Sequence, residues 1–193
     1  MRRLDADFRV DLGAALAASR MSDVTPAVAW VRWFVPPLLV VLVLDQCTKL
    51  WFFSQPAVAD FPGWIVRSYN QGVAWGMGNS MPMVVVLVTA LLIPLLGWVW
   101  WKHFRLLGRS ENLAFGAVLG GALGNGIDRA QMAAGTLHGV RDFIHVDLGF
   151  WPLNPWPTFN IADAGITGGF LVLAALSLAK PKPGPTPGAS ATV

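Results

Sequence analysis

The residues of this chain with the clearest chemical potential are two aspartates. Asp142 lies in Val140–Phe143, V-R-D-F, and Asp163 closes Phe159–Asp163, F-N-I-A-D. Both sit beside strongly apolar stretches, where a carboxylate is costly and an ionisable group is by default a functional one. Two carboxylates that converge cannot both ionise cheaply and share one proton. One then takes a proton from water while the other donates to a carbonyl oxygen, the chemistry of hydrolysis by paired acids. The residues alone leave alternatives open. His145 and Asp147 occupy the same stretch as Asp142. Asp163 also fits a structural role in the first turn of a helix capped by Asn160, where a helix dipole favours a carboxylate.

Further polar groups lie along the chain. Asp45 and Lys49, in D-Q-C-T-K, are four residues apart and so share one face of a helix, where they can neutralise each other. Cys47 between them reads as a small packing residue, because no basic group is set to activate its thiol. In Y-N-Q-G-V-A-W-G-M, Tyr69 to Met77, Asn70, Gly72 and a second glycine predict irregular backbone, either a turn or a wall along which another chain comes close. Gly116, Gly120 and Gly124 recur every four residues, the small-residue spacing of tightly packed membrane helices. Gly121 adds to that set, and Asn125, Asp128 and Arg129 follow at its outer end. Asp128 and Arg129 are expected to pair with groups such as Lys49 or Asp45, since polar groups at membrane depth need internal partners.

Other chemistries find little footing. His103, His138 and His145 lack the spacing of a zinc site, and Cys47 is the one cysteine, so neither a metal cluster nor an internal disulfide is expected. No G-x-S-x-G nucleophile elbow and no phosphate-cradling loop occur. The basic residues follow membrane topology rather than a nucleic-acid-binding face.

The elements that must position these groups are membrane helices. Of the 193 residues 54% are hydrophobic and 13% charged, with a mean hydropathy of +0.53; a soluble domain carries about 25% charged residues. Four hydrophobic stretches, about 31–53, 83–101, 112–127 and 160–179, approach the ~20 residues that cross a bilayer. They predict an all-α integral membrane protein of four transmembrane helices over residues 30–179, preceded by a cytoplasmic extension (1–29) and followed by a tail (180–193). Arginines at positions 2, 3, 9, 20 and 32, with Lys102, Arg105, Arg109, Lys180 and Lys182, flank one side of these spans. The long connections 54–82 and 128–159 hold only Arg67, Arg129 and Arg141. The positive-inside rule therefore places both termini in the cytoplasm and the long connections, with Asp142 and Asp163, outside. Those connections are rich in Pro and Trp and predict a small extracytoplasmic cap of β and loop structure with an interfacial helix.

D-Q-C-T-K, N-Q-G-V-A-W, G-G-A-L-G-N-G-I-D-R, V-R-D-F and F-N-I-A-D-A-G-I, in this order over about residues 33–179, resemble the bacterial lipoprotein signal peptidases (signal peptidase II, aspartic peptidase family A8). The resemblance implies an intramembrane aspartic endopeptidase of the inner membrane. Such an enzyme removes signal peptides from diacylglyceryl-modified prolipoproteins, cutting on the N-terminal side of the lipidated cysteine. It implies Asp142 and Asp163 as the catalytic pair, which sets Asp147 aside and gives Asp128 a supporting place. Asn70, Gly72, Asn125, Arg129 and Asn160 match positions that shape the pocket and contact bound peptide or a globomycin-like inhibitor, and Asp45 and Lys49 match a structural pair. No cofactor or metal is implied. Membrane lipids and the prolipoprotein are the expected partners, nucleic acid is not, and a monomer is expected because one chain supplies both aspartates. The glycines of the third span are expected to leave room for acyl chains. The ten residues between Arg129 and Val140 run a few longer than the family's usual connection. A second reading from the residues is a small polytopic carrier or scaffold with a relay through Asp45, Asp128 and Asp163.

Overall fold

The computed structural model describes residues 30–56, 63–73, 77–147, 149 and 156–179. The extension 1–29 and the tail 180–193 lie outside the described residues. Four long helices carry the fold: α1 (Val31–Ser54), α2 (Pro82–Val99), α3 (Arg109–Ala133) and α4 (Ile161–Ala179). A π-helical stretch, Trp100–Phe104, prolongs α2. Two strands, β1 (Ile65–Asn70) and β2 (Val140–Ile144), pair antiparallel beside the helices.

Three helices, Val31–Ser54, Pro82–Phe104 and Ile161–Ala179, are long and apolar enough to cross a membrane. The expected fourth, α3, is not among them. With 25 residues it has the length, but Arg109, Glu111, Asn112, Asn125, Asp128 and Arg129 reduce its apolar character. It is instead the central helix, packed on α1 and α4 on two sides and on α2 on a third.

Glycine makes that centre close. A Cβ at Gly116 would strike the Phe34 carbonyl, one at Gly120 the Leu38 carbonyl, and one at Gly121 the Ala162 carbonyl. A Cβ at Gly124 would fall 2.5 Å from the Asp45 carboxylate. The four-residue glycine repeat therefore faces α1, while Gly121 faces α4. This corrects the expectation that these glycines leave space for acyl chains, because neighbouring helices occupy the notches they make. Cys47 is also corrected: it is exposed on the outside of the bundle and packs against no helix core.

The two ends of the bundle differ. At one, Phe34, Trp100 and Phe115 form a buried cluster in which Phe34 stacks on Trp100 at 3.7 Å and Trp30 packs edge-on. Buried Asn112 organises the adjoining turn. It accepts a hydrogen bond from Trp100 Nε1 at 3.0 Å and donates to the Gly108 carbonyl at 3.0 Å. The other end holds the strands and nearly all buried charge.

There α3 runs past its expected end, keeping Asp128 and Arg129 helical rather than in the outer loop. It closes at Gly135, whose φ of +74° suits glycine, with Gly135 N–H on the Met132 carbonyl and Thr136 N–H on the Gln131 carbonyl. The unusual length of the Arg129–Val140 connection is thus partly helix. Among the described residues the cap is a two-stranded ribbon, and the expected interfacial helix is absent there. Ile65–Asn70, rich in β-branched and aromatic residues, forms a strand instead.

Candidate active site

Strand β2 delivers Asp142. Side chains alternate along a strand, so Arg141 and Asp142 leave opposite faces. The register sets Ser68 against Asp142, Tyr69 against Arg141 and Asn70 against Val140, with a bulge between Ile65 and Ser68. On its other edge β2 meets the chain that leads into α4. Phe159 N–H donates to the Ile144 carbonyl at 3.0 Å, and Ile144 N–H donates to the Phe159 carbonyl at 2.8 Å. The residue after that bridge is Asn160. The strand edge therefore draws Asp142 alongside the beginning of α4, which is how the long connection reaches Asp163.

Asp163 is held by a reciprocal cap. Its own N–H donates to Asn160 Oδ1 at 2.9 Å, and its Oδ2 accepts from the Asn160 N–H at 3.2 Å. This is a capping box with Asn and Asp in place of Ser and Glu. Asn160 also reaches the second aspartate, donating from Nδ2 to Asp142 Oδ1 at 2.6 Å. Asn125 completes the bridge. Its Nδ2 donates to Asp163 Oδ1 at 2.7 Å, and its Oδ1 accepts from Asn160 Nδ2 at 3.1 Å and from Lys49 Nζ at 3.0 Å. A lysine ammonium only donates. Lys49 therefore obliges Asn125 to turn its oxygen inward and its amide hydrogens toward Asp163.

Beneath this pair lies an ionic cluster. Lys49 Nζ is 2.8 Å from Asp45 and 3.4 Å from Asp128, all fully buried. Asp45 Oδ1 accepts from the backbone N–H of Ala162 at 3.0 Å, tying α1 to the start of α4. Asp128 accepts from Arg141 three times: from the backbone N–H at 2.9 Å, from Nε at 3.2 Å and from Nη2 at 2.7 Å. Arg141 Nη2 also donates to Gln46 Oε1 at 3.1 Å. Arg129 takes a different direction from Asp128 and does not pair with Asp45: it donates from Nη2 to the Gly72 carbonyl at 2.9 Å. Asn70 Oδ1 accepts from the Gly72 N–H at 3.0 Å, shaping that turn.

Asp142, Asp163, Asn70, Asn125 and Arg129 line one cavity of about 690 Å³. Its walls continue through Leu92 and Ile93 of α2, Ala122 of α3 and Ile166 of α4, with Trp156 and Phe159 at the strand end. Burial, and then the neighbouring Asp163 carboxylate, push the Asp142 carboxyl up to about 7 from its ordinary 3.8, against the opposing effect of its amide donors. Asp142 is 1% exposed, so the burial is essentially complete. Asp147 is elsewhere: its side chain accepts from the Gly149 N–H at 2.8 Å in an exposed turn.

Most sequence-predicted residues are thus brought together. Asp142, Asp163, Asn70, Asn125, Arg129 and Asn160 meet at the cavity or its bridge, Gly72 meets them through Arg129, and Asp45, Lys49 and Asp128 lie directly beneath. Gly121 and Gly124 belong to the helix contacts. Two residues were missed, Gln46 and Arg141, although both lie inside the quoted segments. Strand alternation applied to V-R-D-F would have shown that Arg141 faces away from Asp142 and into the protein, where a buried arginine needs a carboxylate.

Apolar helices around a polar centre, with two amide-bridged carboxylates at a cavity with apolar walls, define a membrane-integrated protein with a polar site enclosed among its helices. A model of the signal peptidase (SPase) II family matches residues 38–179, and the chain belongs to that family. The lipoprotein signal peptidase of Methylorubrum extorquens (strain PA1) is 37% identical over 159 residues, covering 76% of this chain and 85% of that protein. That of Chlorobium phaeobacteroides (strain BS1) is 34% identical over 151 residues, covering 69% and 88%. The fold is similar to a bacterial membrane enzyme structure obtained by the in meso method at 2.3 Å, with a TM-score of 0.62 and 25% identity over 77% of this chain and 92% of that one.

Proposed function

We propose that the protein removes signal peptides from diacylglyceryl-modified prolipoproteins by aspartic catalysis, with Asp142 and Asp163 as the reacting pair. The observation that carries this reading is the amide bridge of Asn160 and Asn125, which holds both carboxylates at one cavity with apolar walls. Asp163, which receives the Asn125 amide and the Asn160 N–H at the start of α4, is the partner that takes a proton from water. Asp142, with its pKa raised to about 7, holds the shared proton near neutrality and donates it to the scissile carbonyl oxygen. Water attacks the peptide carbon to give a diol. As the C–N bond breaks, the proton taken by Asp163 leaves with the amine of the lipidated cysteine and one hydroxyl proton of the collapsing diol returns to Asp142.

The apolar wall of Leu92, Ile93, Ala122 and Ile166 takes the substrate's apolar groups, and a globomycin-like inhibitor would fill the same space. Arg129 contributes a donor to bound peptide: its Nε is buried without a hydrogen-bond partner among the described residues. In the bilayer α3 crosses as a fourth span, screened from lipid by the three apolar helices. The positive-inside distribution puts both termini in the cytoplasm and the site at the outer face of the bacterial inner membrane. One chain supplies the whole site, so it acts as a monomer. A carboxylate-relay carrier is not favoured, since Asp45 and Asp128 are closed off by Lys49 and Arg141 and the far end of the bundle is packed with aromatic rings.

The test is cleavage of a diacylglyceryl prolipoprotein by the purified protein, with Asp142→Asn and Asp163→Asn as controls. Cleavage lost in both supports the pair. Full activity in either would remove that residue from the mechanism.

A further inference from the structure

We propose that Arg141 is a positioning residue that pins the register of β2, and so decides which residue of V-R-D-F faces the cavity. The proposal rests on the reading of Asp142 as catalytic. A two-stranded ribbon is marginal by itself, and a slip of one residue turns every side chain to the opposite face. In β2 a one-residue slip would replace Asp142 at the cavity with Arg141 or Phe143. The bulge between Ile65 and Ser68 leaves the first part of the pairing irregular. On its other edge β2 is joined, among the described residues, only at its end, where Phe143 and Ile144 meet Phe159, so backbone pairing is a weak determinant of register.

Arg141 provides what the ribbon lacks. Its backbone N–H and its guanidinium bind the same carboxylate, that of Asp128 on α3, at 2.9 Å and at 3.2 and 2.7 Å. The backbone contact sets the height of the strand against α3, and the two side-chain contacts set which face turns inward. A planar fork on a carboxylate carries this geometric information, whereas a point charge does not. Gln46 of α1 backs the guanidinium at 3.1 Å, so two helices read the position of one strand residue. Arg141 is 4% exposed and Asp128 is fully buried, so water does not compete for the pair. Lys49 remains beside Asp128 when Arg141 is removed, which keeps that carboxylate partnered.

The test uses the full chain in detergent, with a cross-link readout that does not depend on activity. In a Cys47→Ser background, Ser68→Cys with Asp142→Cys places two thiols at directly paired positions, and their disulfide yield reports the register. Arg141→Met should lower that yield several-fold and raise the yield of the slipped pair, Ser68→Cys with Phe143→Cys. In chains that keep Asp142, Arg141→Met should cut kcat roughly tenfold or more with KM within about twofold. Arg141→Lys, which offers an ammonium in place of the fork, should fall between in both readouts. The pin is overturned if the cross-link pattern of Arg141→Met stays that of the parent, or if that variant keeps its kcat while Asp142→Asn is inactive. Should Arg141→Met not fold, Arg141→Lys decides, and parent values in both of its readouts overturn the proposal. A disturbed register in a protein whose Asp142→Asn variant stays active would instead uphold the pin and remove the catalytic reading.

Discussion

Four buried or half-buried aspartates share one polar network, yet they fall into two regions with opposite electrostatics. Asp45 and Asp128, between α1, α3 and β2, are matched by Lys49 and Arg141 at 2.7–3.4 Å. Asp142 and Asp163, between β2 and the start of α4, are held by the amides of Asn160 and Asn125. Cations fix the charge of the first two. Amides orient the second two without themselves supplying a countercharge, which on the proposed reading lets the pair share a proton. The difference lies in a few ångströms and in the choice of neighbour, since a carboxylate beside a buried ammonium stays ionised and makes a poor acid. The ionic half ties α1, α3 and β2 together, and the amide half is where the proposed mechanism moves its protons.

The sharpest way to break this contrast is to neutralise one carboxylate in each region. Asp142→Asn or Asp163→Asn should reduce prolipoprotein cleavage by about 10³-fold, within the range for losing a general acid or base. Unfolding temperature in detergent should hold or rise, because a like-charge neighbour is removed. Asp128→Asn should do the reverse in emphasis. It strips Arg141 of its buried partner, for which a cost of about 3–5 kcal/mol is expected, read as a large drop in unfolding temperature before any kinetic measurement. If both substitutions gave the same profile, the division into foundation and reacting pair would fail.

pH separates the regions by a smaller amount. The Asp142 carboxyl is raised from 3.8 to about 7, so between these values the folded protein holds a proton that the unfolded chain has released. Its contribution to stability is complete below pH 3.8 and is lost as pH rises through about 7. Activity that needs the shared proton should fall on the alkaline side with a midpoint near 7. A pH–rate profile of cleavage checks this, and Asp142→Asn should lose the matching slope in the stability profile. A rate that stays flat from neutrality to pH ~9 would contradict the shared proton.

Much of this was legible in the residues, for identifiable reasons. Helices α1, α2 and α4 were visible because apolar runs of bilayer length have few other uses, and the Asp45–Lys49 contact because i and i+4 coincide on any helix. The glycine stripe of α3 announced a close crossing but not its partner, so space was expected where the backbone of α1 sits. The status of α3 was hidden for a related reason. A helix enclosed by other helices can carry Asn112, Asn125, Asp128 and Arg129, and composition reports the surroundings of a helix rather than its place. Arg141 was passed over because its partner Asp128 is 13 residues away, and no local spacing connects a strand residue to a helix terminus.

The finest test of the comparison concerns Asn160, which meets both carboxylates of the proposed pair, Asp142 through its side-chain amide and Asp163 through its backbone N–H. Its oxygen caps α4 through the Asp163 N–H, and its amide donates to Asp142. These two functions separate chemically. Serine keeps a capping oxygen and is nearly equivalent to asparagine at a helix N-cap, but it has no reach toward Asp142. Asn160→Ser should therefore leave the unfolding temperature within a few degrees while lowering kcat about tenfold, the equivalent of ~1.4 kcal/mol for one hydrogen bond. Asn160→Ala loses both contacts and should add about 1 kcal/mol of destabilisation to the same kinetic loss. Equal activity in Asn160→Ser and the parent would mean that the amide bridge merely caps α4, and that Asp142 finds its place from the strand alone.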